Sequence, residues 1–233
     1  MNTQALLENI KAVYGRISRA VMRAQRSPEE VKLIAVTKTI GVERIREAID
    51  AGLRIFGENR VQEAQKKITN DGLKVYRAKV QWHLVGHLQR NKAKYAVQLF
   101  DLIHSVDSSG LAEELDRCAE KIGKIQDILV EVKLSYETSK HGIQKSELME
   151  LLRKVRNMKH LNLRGLMTVP PFSEDPAEAI SCFRELRTLR DEASVHGFAL
   201  PELSMGMSDD FEMAIEEGAT MVRIGNAIFG ERK

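Results

Sequence analysis

Lys38 follows an apolar run, VKLIAVTKT from Val31 to Thr39, in which alternation sets Lys32, Ile34, Val36 and Lys38 on one face and Leu33, Ala35 and Thr37 on the other. A lysine held in a partly dry pocket loses some of its preference for the charged form, and its neutral amine attacks aldehydes to give a Schiff base. The same pattern also suits a lysine that snorkels from a strand end to solvent. Arg223 is enclosed by Met221, Val222 and Ile224. A guanidinium there is costly unless it meets an acceptor, either a protein carboxylate or a ligand atom. Gly225 and Asn226 come next, the two residue types that most readily expose consecutive N–H groups as an anion nest. Ser204-Met205-Gly206-Met207-Ser208 leads into a further helical stretch, whose N-terminus suits phosphate. Against that, Ser208 and Asp209 are good helix caps, and Asp209 and Asp210 would repel an anion placed too close.

Several sharper chemistries are excluded. No two glycines are spaced as GxG, and Gly225 to Gly230 is followed by Glu231-Arg232 where a P-loop needs Lys-Ser/Thr. His83 and His87 have the i, i+4 spacing of a zinc pair, but leucine follows His83 where a metalloprotease has glutamate, and the segment begins as a strand; no metal is expected. No GxSxG elbow appears. Cys118 and Cys182 lie in helical stretches without CxxC spacing and read as buried thiols.

These groups have to be positioned by an alternating chain of elements. A helix carries the stripe Leu6, Ile10, Val13, Ile17 and Val21 opposite the basic stripe Arg16, Arg19, Arg23 and Arg26, which reads as a solvated face. Strands are predicted at 31–39, 54–59, 81–86, 102–107, 127–135, 163–170, 202–208 and 221–229, and helices at 42–51, 61–69, 90–99, 108–122, 145–158, 175–196 and 209–217. Eight strands alternating with helices imply parallel pairing with helical crossovers, either a doubly wound sheet or, favoured by the number eight, a closed (β/α)8 TIM barrel. In a barrel, chemistry gathers at the C-terminal strand ends: Lys38, Asn59, His83, Asp107, Lys133, Thr168, Ser204 to Ser208 and Arg223 to Asn226.

The chain has 233 residues, 43% hydrophobic and 30% charged, which suits a single domain over 1–233. Its longest apolar run is Leu33 to Val36, so no membrane span is expected. The first twenty residues carry frequent charges and no signal-like core, which places the protein in the cytoplasm. With 36 basic and 33 acidic residues, a net charge of +3 gives no footprint for nucleic acid.

LIAVTKT around Lys38, FGENRVQE at 56–63, WHLVGHLQRNK at 82–92, RGLMTVP at 164–170 and LSMGMSDDFEMAIEEGATMVRIGNAIFG at 203–230 closely resemble the pyridoxal 5'-phosphate homeostasis protein family, in order and over nearly the whole chain. The resemblance implies a barrel similar to the alanine racemase N-terminal domain, the fold type III barrel, with pyridoxal 5'-phosphate (PLP) held as a Schiff base on Lys38. It implies that Arg223 faces the pyridine nitrogen, keeping it unprotonated and weakening the ring as an electron sink. Ser204, Met207, Ser208, Gly225 and Asn226 would surround the phosphate, and Asn59 and His83 would lie near the ring. Asn226 stands where the family carries threonine or serine, so only its backbone contact carries over. Lys140, past the fifth strand, either relays cofactor or is a solvated loop lysine.

The implied role is a non-catalytic carrier or buffer in intracellular vitamin B6 homeostasis, supplying PLP-dependent apo-enzymes as a monomer or weak dimer. A racemase of this barrel type draws a second base, usually a tyrosine, from an additional domain and a partner subunit. This chain ends just past its eighth strand, and of Tyr14, Tyr76, Tyr95 and Tyr136 only Tyr136 lies near a strand's C-terminal end. The alternatives are an amino-acid racemase or lyase using Lys38 as its single base, and an interaction module using the arginine stripe on an acidic partner.

Overall fold

Eight parallel strands close on themselves in a computed structural model that describes residues 3–135, 137, 141–171, 173 and 175–230. They are β1 (Lys32–Val36), β2 (Ile55–Glu58), β3 (Gln81–Leu84), β4 (Leu102–Val106), β5 (Gln126–Lys133), β7 (Leu161–Met167), β8 (Glu202–Ser204) and β9 (Met221–Ile224), while β6 (Ile143–Gln144) is a two-residue strand added outside the ring against β5. Neighbours pair in chain order, and the ring shuts where β1 lies beside β9 with Lys32 opposite Met221 and Ile34 opposite Arg223.

The strands are short and doubly covered, and alternation sorts their side chains into two cores. Ile34, Leu102, Leu129, Met167 and Met221 fill the lumen. Leu33, Ala35, Phe56, Trp82, Leu84, Ile103, Val130 and Val222 face outward into the larger core under the helices. These helices are α1 (Thr3–Arg23), α2 (Val42–Asp50), α3 (Val61–Ile68), α4 (Asp71–Lys74), α5 (Ala93–Leu99), α6 (Ser109–Glu120), α7 (Leu148–Arg156), α8 (Pro176–Val195), α9 (Phe211–Glu216) and α10 (Asn226–Phe229). Cys118 and Cys182 are buried among them, with Cys182 Sγ 3.8 Å from Thr168 Oγ1.

The last unit departs from the expected pattern. The strand predicted at 221–229 stops at Ile224, and the apolar residues Ala227, Ile228 and Phe229 belong to the single turn of α10. One turn cannot cover the outside of β9 and β1. That place is taken by α1, which precedes the barrel in sequence and packs on α2, α9 and α10, burying Leu6, Ile10, Val13, Ile17, Ala20 and Val21.

This docking also corrects the reading of the arginine stripe as a solvated face or a surface for a partner. Arg16 pairs with Glu212 at 2.7 Å and lies over the Phe211 ring, Arg23 pairs with Glu216 at 2.6 Å, and Arg26 donates to the carbonyls of Ile215 and Ala219 at 2.9 Å each. Three of the four guanidiniums are thus committed to α9 and the carbonyls at its C-terminal end, where a cation is favoured. No helix among the described residues is long and apolar enough to cross a membrane.

Candidate functional site

A cavity of about 320 Å³ opens at the C-terminal end of the barrel, lined by Val36, Lys38, Asn59, Val85, Val169, Met207, Ser208, Asp209, Arg223, Gly225 and Asn226. Lys38, Asn59, Met207, Ser208, Arg223, Gly225 and Asn226, all singled out from the sequence, meet there from β1, β2 and the segments around β8 and β9. Lys38 is half-buried on the wall of this cavity.

The backbone around Lys38 is held from both sides. Thr37 N–H donates to the Gly57 carbonyl at 2.8 Å and its hydroxyl to Glu58 Oε1 at 2.6 Å, while Thr39 N–H donates to Glu63 Oε1 at 2.5 Å. Thr39 adopts a left-handed φ of 66°, unusual for a β-branched residue, so the turn after Lys38 is imposed by its surroundings. At the centre of this clamp, Lys67 Nζ donates to the Thr37 carbonyl at 2.6 Å and to Glu58 and Glu63 at 2.7 Å each. Burial pushes the Glu58 carboxyl up, and Lys67 only partly offsets it. Lys67 escaped the sequence reading although its spacing shows it: Val61, Ala64 and Ile68 put it on the buried stripe of α3.

Arg223 is 4% exposed and forms the floor of the cavity. Its NH1 donates to Ser204 Oγ at 2.7 Å and its NH2 to the Thr168 carbonyl at 2.9 Å, so its direct acceptors are a hydroxyl and a peptide group. Burial lowers its pKa to about 10, opposed by the carboxylates of Glu131 and Asp210, and it stays charged at neutral pH. Glu131, a lone acid in the apolar run of β5, lies close enough to Arg223 to feel its charge; burial and then Asp107 push it up to about 7, against the pull of Arg223.

Ser204 and His83 do not line the mouth cavity. Both lie in the lumen beneath Arg223, joined through His104: Arg223 to Ser204, Ser204 Oγ to His104 Nδ1 at 2.9 Å, and His104 Nε2 to His83 Nδ1 at 3.0 Å. Burial depresses both imidazoles, His83 to about 4 and His104 well below its ordinary value, helped there by His83 and Arg223. Two neutral rings satisfy the chain with protons running either way along it. On its other side His83 borders a second cavity, about 170 Å³, at the N-terminal end of the barrel among Lys32, Gln81, Asp127 and Glu202. Ser204 therefore supports Arg223 from below instead of reaching an anion at the rim, and His83 lies two residues removed from it along the chain.

The anion-nest expectation needs a similar correction. Gly225 has a φ of −114° and immediately precedes α10 as its N-cap residue, whereas the left-handed residue of this rim is Gly206, with a φ of 90°. A Cβ on Gly206 would lie 2.6 Å from Ala214 Cβ and 2.9 Å from Phe211 Cα, so only glycine lets β8 turn into α9 here. The loops after β8 and β9 meet where the Ala227 N–H approaches Ser208 Oγ at 3.4 Å, and the Met207 N–H donates to Asp210; the N-cap of α9 is Asp210, not Ser208 or Asp209, and its side chain caps no helix N–H. Lys140 and Tyr136 lie outside the described residues.

Residues 2–233 match the family model of the alanine racemase N-terminal domain. The chain is 45% identical over 227 residues to the pyridoxal phosphate homeostasis protein of Aquifex aeolicus, covering 97% of this chain and 98% of that one. Among solved structures it is similar to PipY of Synechococcus elongatus PCC7942 with PLP bound, at 40% identity and a TM-score of 0.84, covering 97% of this chain and all of that one. A protein from Bifidobacterium adolescentis matches at 36% identity and a TM-score of 0.92, covering 97% and 95%. With a closed parallel barrel, a lysine and a buried arginine on one cavity, and this likeness along its whole length, the chain belongs to the pyridoxal phosphate homeostasis proteins, built on the alanine racemase N-terminal domain.

Proposed function

We propose that residues 1–233 act as one PLP-binding domain, and that the protein is a non-catalytic carrier or buffer of PLP in the cytoplasm, working as a monomer or weak dimer and releasing cofactor to PLP-dependent apo-enzymes. The observation that carries this reading is the meeting of Lys38 and Arg223 on one cavity whose rim is made by the loops after β8 and β9. In barrels of this kind, the loops after the last two strands are the usual place for phosphate.

The residues present fit the cofactor. Lys38 Nζ adds to the aldehyde carbon, a C=N bond replaces C=O, and the oxygen leaves as water. The loops carrying Met207, Ser208, Gly225 and Asn226 hold the phosphate, and Asn59 lies beside the ring. Arg223, always charged and donor-only, faces the pyridine nitrogen and keeps it from taking a proton. A bound PLP supplies an aldehyde and, when its ring nitrogen is protonated, an electron sink. Arg223 removes the second, which suits storage over turnover. Ser204 acts from below by holding the guanidinium directly, and His83 acts through His104 and Ser204.

Purified protein should absorb in the visible with PLP bound, and borohydride reduction followed by peptide mapping should place the label on the peptide containing Lys38; Lys38→Ala should lose both. A colourless protein that takes up no added PLP would overturn the cofactor reading. Exchange of amino-acid α-protons in deuterated water that disappears in Lys38→Ala would replace the carrier by a racemase or lyase using Lys38 as its base.

A further inference from the structure

Beside the cofactor cavity, three loops bring together side chains that the PLP reading does not use. His87 follows β3, Asp107 follows β4, and His141 lies just before β6. One ligand atom from each can be chosen so that all lie within 4.8 Å of one another. His87 Nδ1 is 3.4 Å from Asp107 Oδ2, and the His87 and His141 rings stack with centroids 3.7 Å apart and planes 10° from parallel. A plain ion pair looks different: His160 and Asp116 sit 3.7 Å apart, and no second ring is stacked on that imidazole among the described contacts. Face-to-face stacking is also the less favoured arrangement of aromatic rings, so the second imidazole is not explained by ring contact alone.

The backbone holds these residues in place. The Gly86 carbonyl accepts from Ser105 Oγ at 2.7 Å, and a Cβ on Gly86 would fall 2.4 Å from the Asn59 carbonyl oxygen, so β3 leaves the barrel by one tight path into His87. Gly142, at a φ of 117°, lets the chain pass against β5, where a Cβ would fall 2.7 Å from Lys133 N; this fixes the peptide beside His141. Asp107 directly follows the last residue of β4.

We propose that His87, Asp107 and His141 form a binding site for a divalent first-row transition cation, with Zn²⁺ as the best fit. Two imidazoles and one carboxylate without thiolate suit Zn²⁺, Co²⁺ or Ni²⁺, whereas Ca²⁺ and Mg²⁺ need more oxygen donors. Bonds of about 2.1 Å in a tetrahedron place ligand atoms roughly 3.4 Å apart. Side-chain rotation reaches that spacing, and it must also unstack the rings, because each nitrogen lone pair points in its ring plane. Both histidines are exposed, so water takes the fourth position. The site is distinct from the i, i+4 pair considered in the sequence: His83 points into the lumen, and Asp107 and His141 replace it.

The test is a titration of untagged protein with Co²⁺, read by visible d–d absorption, and with Zn²⁺ against a chromophoric chelator. One equivalent should bind with Co²⁺ bands of low-coordinate type. His87→Ala and His141→Ala should each weaken binding by about tenfold or more, with Asp107→Asn intermediate. PLP uptake should persist in the histidine variants and metal binding should persist in Lys38→Ala, so failure of one site is distinguishable from failure of the other. Absence of a cobalt spectrum, or equal metal affinity in the His87→Ala/His141→Ala double variant, would overturn the proposal.

Discussion

His104 links two groups that the sequence marks for separate reasons, and it shows what a single-residue reading can and cannot find. Lys38 and Arg223 were legible because a permanent or near-permanent charge in an apolar strand demands an explanation. His104 in LIHSV and Glu131 in ILVEV obey the same alternation, but a neutral imidazole or a protonated carboxyl is tolerated inside a protein, so neither stands out until its neighbours are known. The lumen chain has a measurable consequence. The native pKa of His83 is about 4 against an ordinary 6.5, so between these values the unfolded chain binds the extra proton. The stability at stake is fully present above pH 6.5 and is lost as pH falls towards 4, by about 3 kcal/mol for this ring. His83→Gln should therefore flatten the acid limb of a plot of urea midpoint against pH by roughly one proton. Identical slopes in the two proteins would mean that His83 is already charged in the native state.

At the scale of elements, the eight barrel strands and the main helices between them were readable because hydrophobic period and turn residues agree, but the last two strands were drawn too long. The eighth was overextended because Ile224, Ala227, Ile228 and Phe229 are apolar in either state. What ends β9 is local: the Gly225 carbonyl accepts from the N–H groups of Ile228 and Phe229, which turns the chain into α10. The segment after β8 was misread for a related reason. SMGMS alternates like a strand, yet β8 stops at Ser204, and the left-handed Gly206 then turns the chain so that Met207 and Ser208 face the cavity. Gly206→Ala meets both the unfavourable φ and the backbone of Phe211, and should cost about 2 kcal/mol or more. The same change should weaken PLP uptake, because Met207 and Ser208 move with the turn. A calorimetric scan and a PLP titration on one preparation check both effects, and unchanged values would place the phosphate elsewhere.

On the scale of the whole molecule, closure of the barrel depends on a helix made before any of its strands. Ile10 is 5% exposed at the centre of the α1 stripe, and Asn9 Nδ2 donates to the Ile228 carbonyl at 3.0 Å, so both ends of the sequence meet across the seam. Ile10→Ala should cost about 2–5 kcal/mol, seen as a lower urea midpoint with no change in the Lys38 region. The Arg16–Glu212 pair, partly open to solvent, contributes little by comparison. This seam also sets the order in which the chain can fold. The partners of α1 and β1 lie some two hundred residues away in sequence, the most expensive loop in the molecule to close. Until β9 pairs with it, the β1 edge and the apolar face of α1 stand uncovered, a template for unwanted pairing. If the seam closes after the rate-limiting barrier, Ile10→Ala should speed unfolding and leave the refolding rate nearly unchanged in stopped-flow experiments, whereas slowed refolding would place seam closure within the barrier. A seam that closes last would set the protein's lifetime well away from the mouth cavity that Lys38 and Arg223 line.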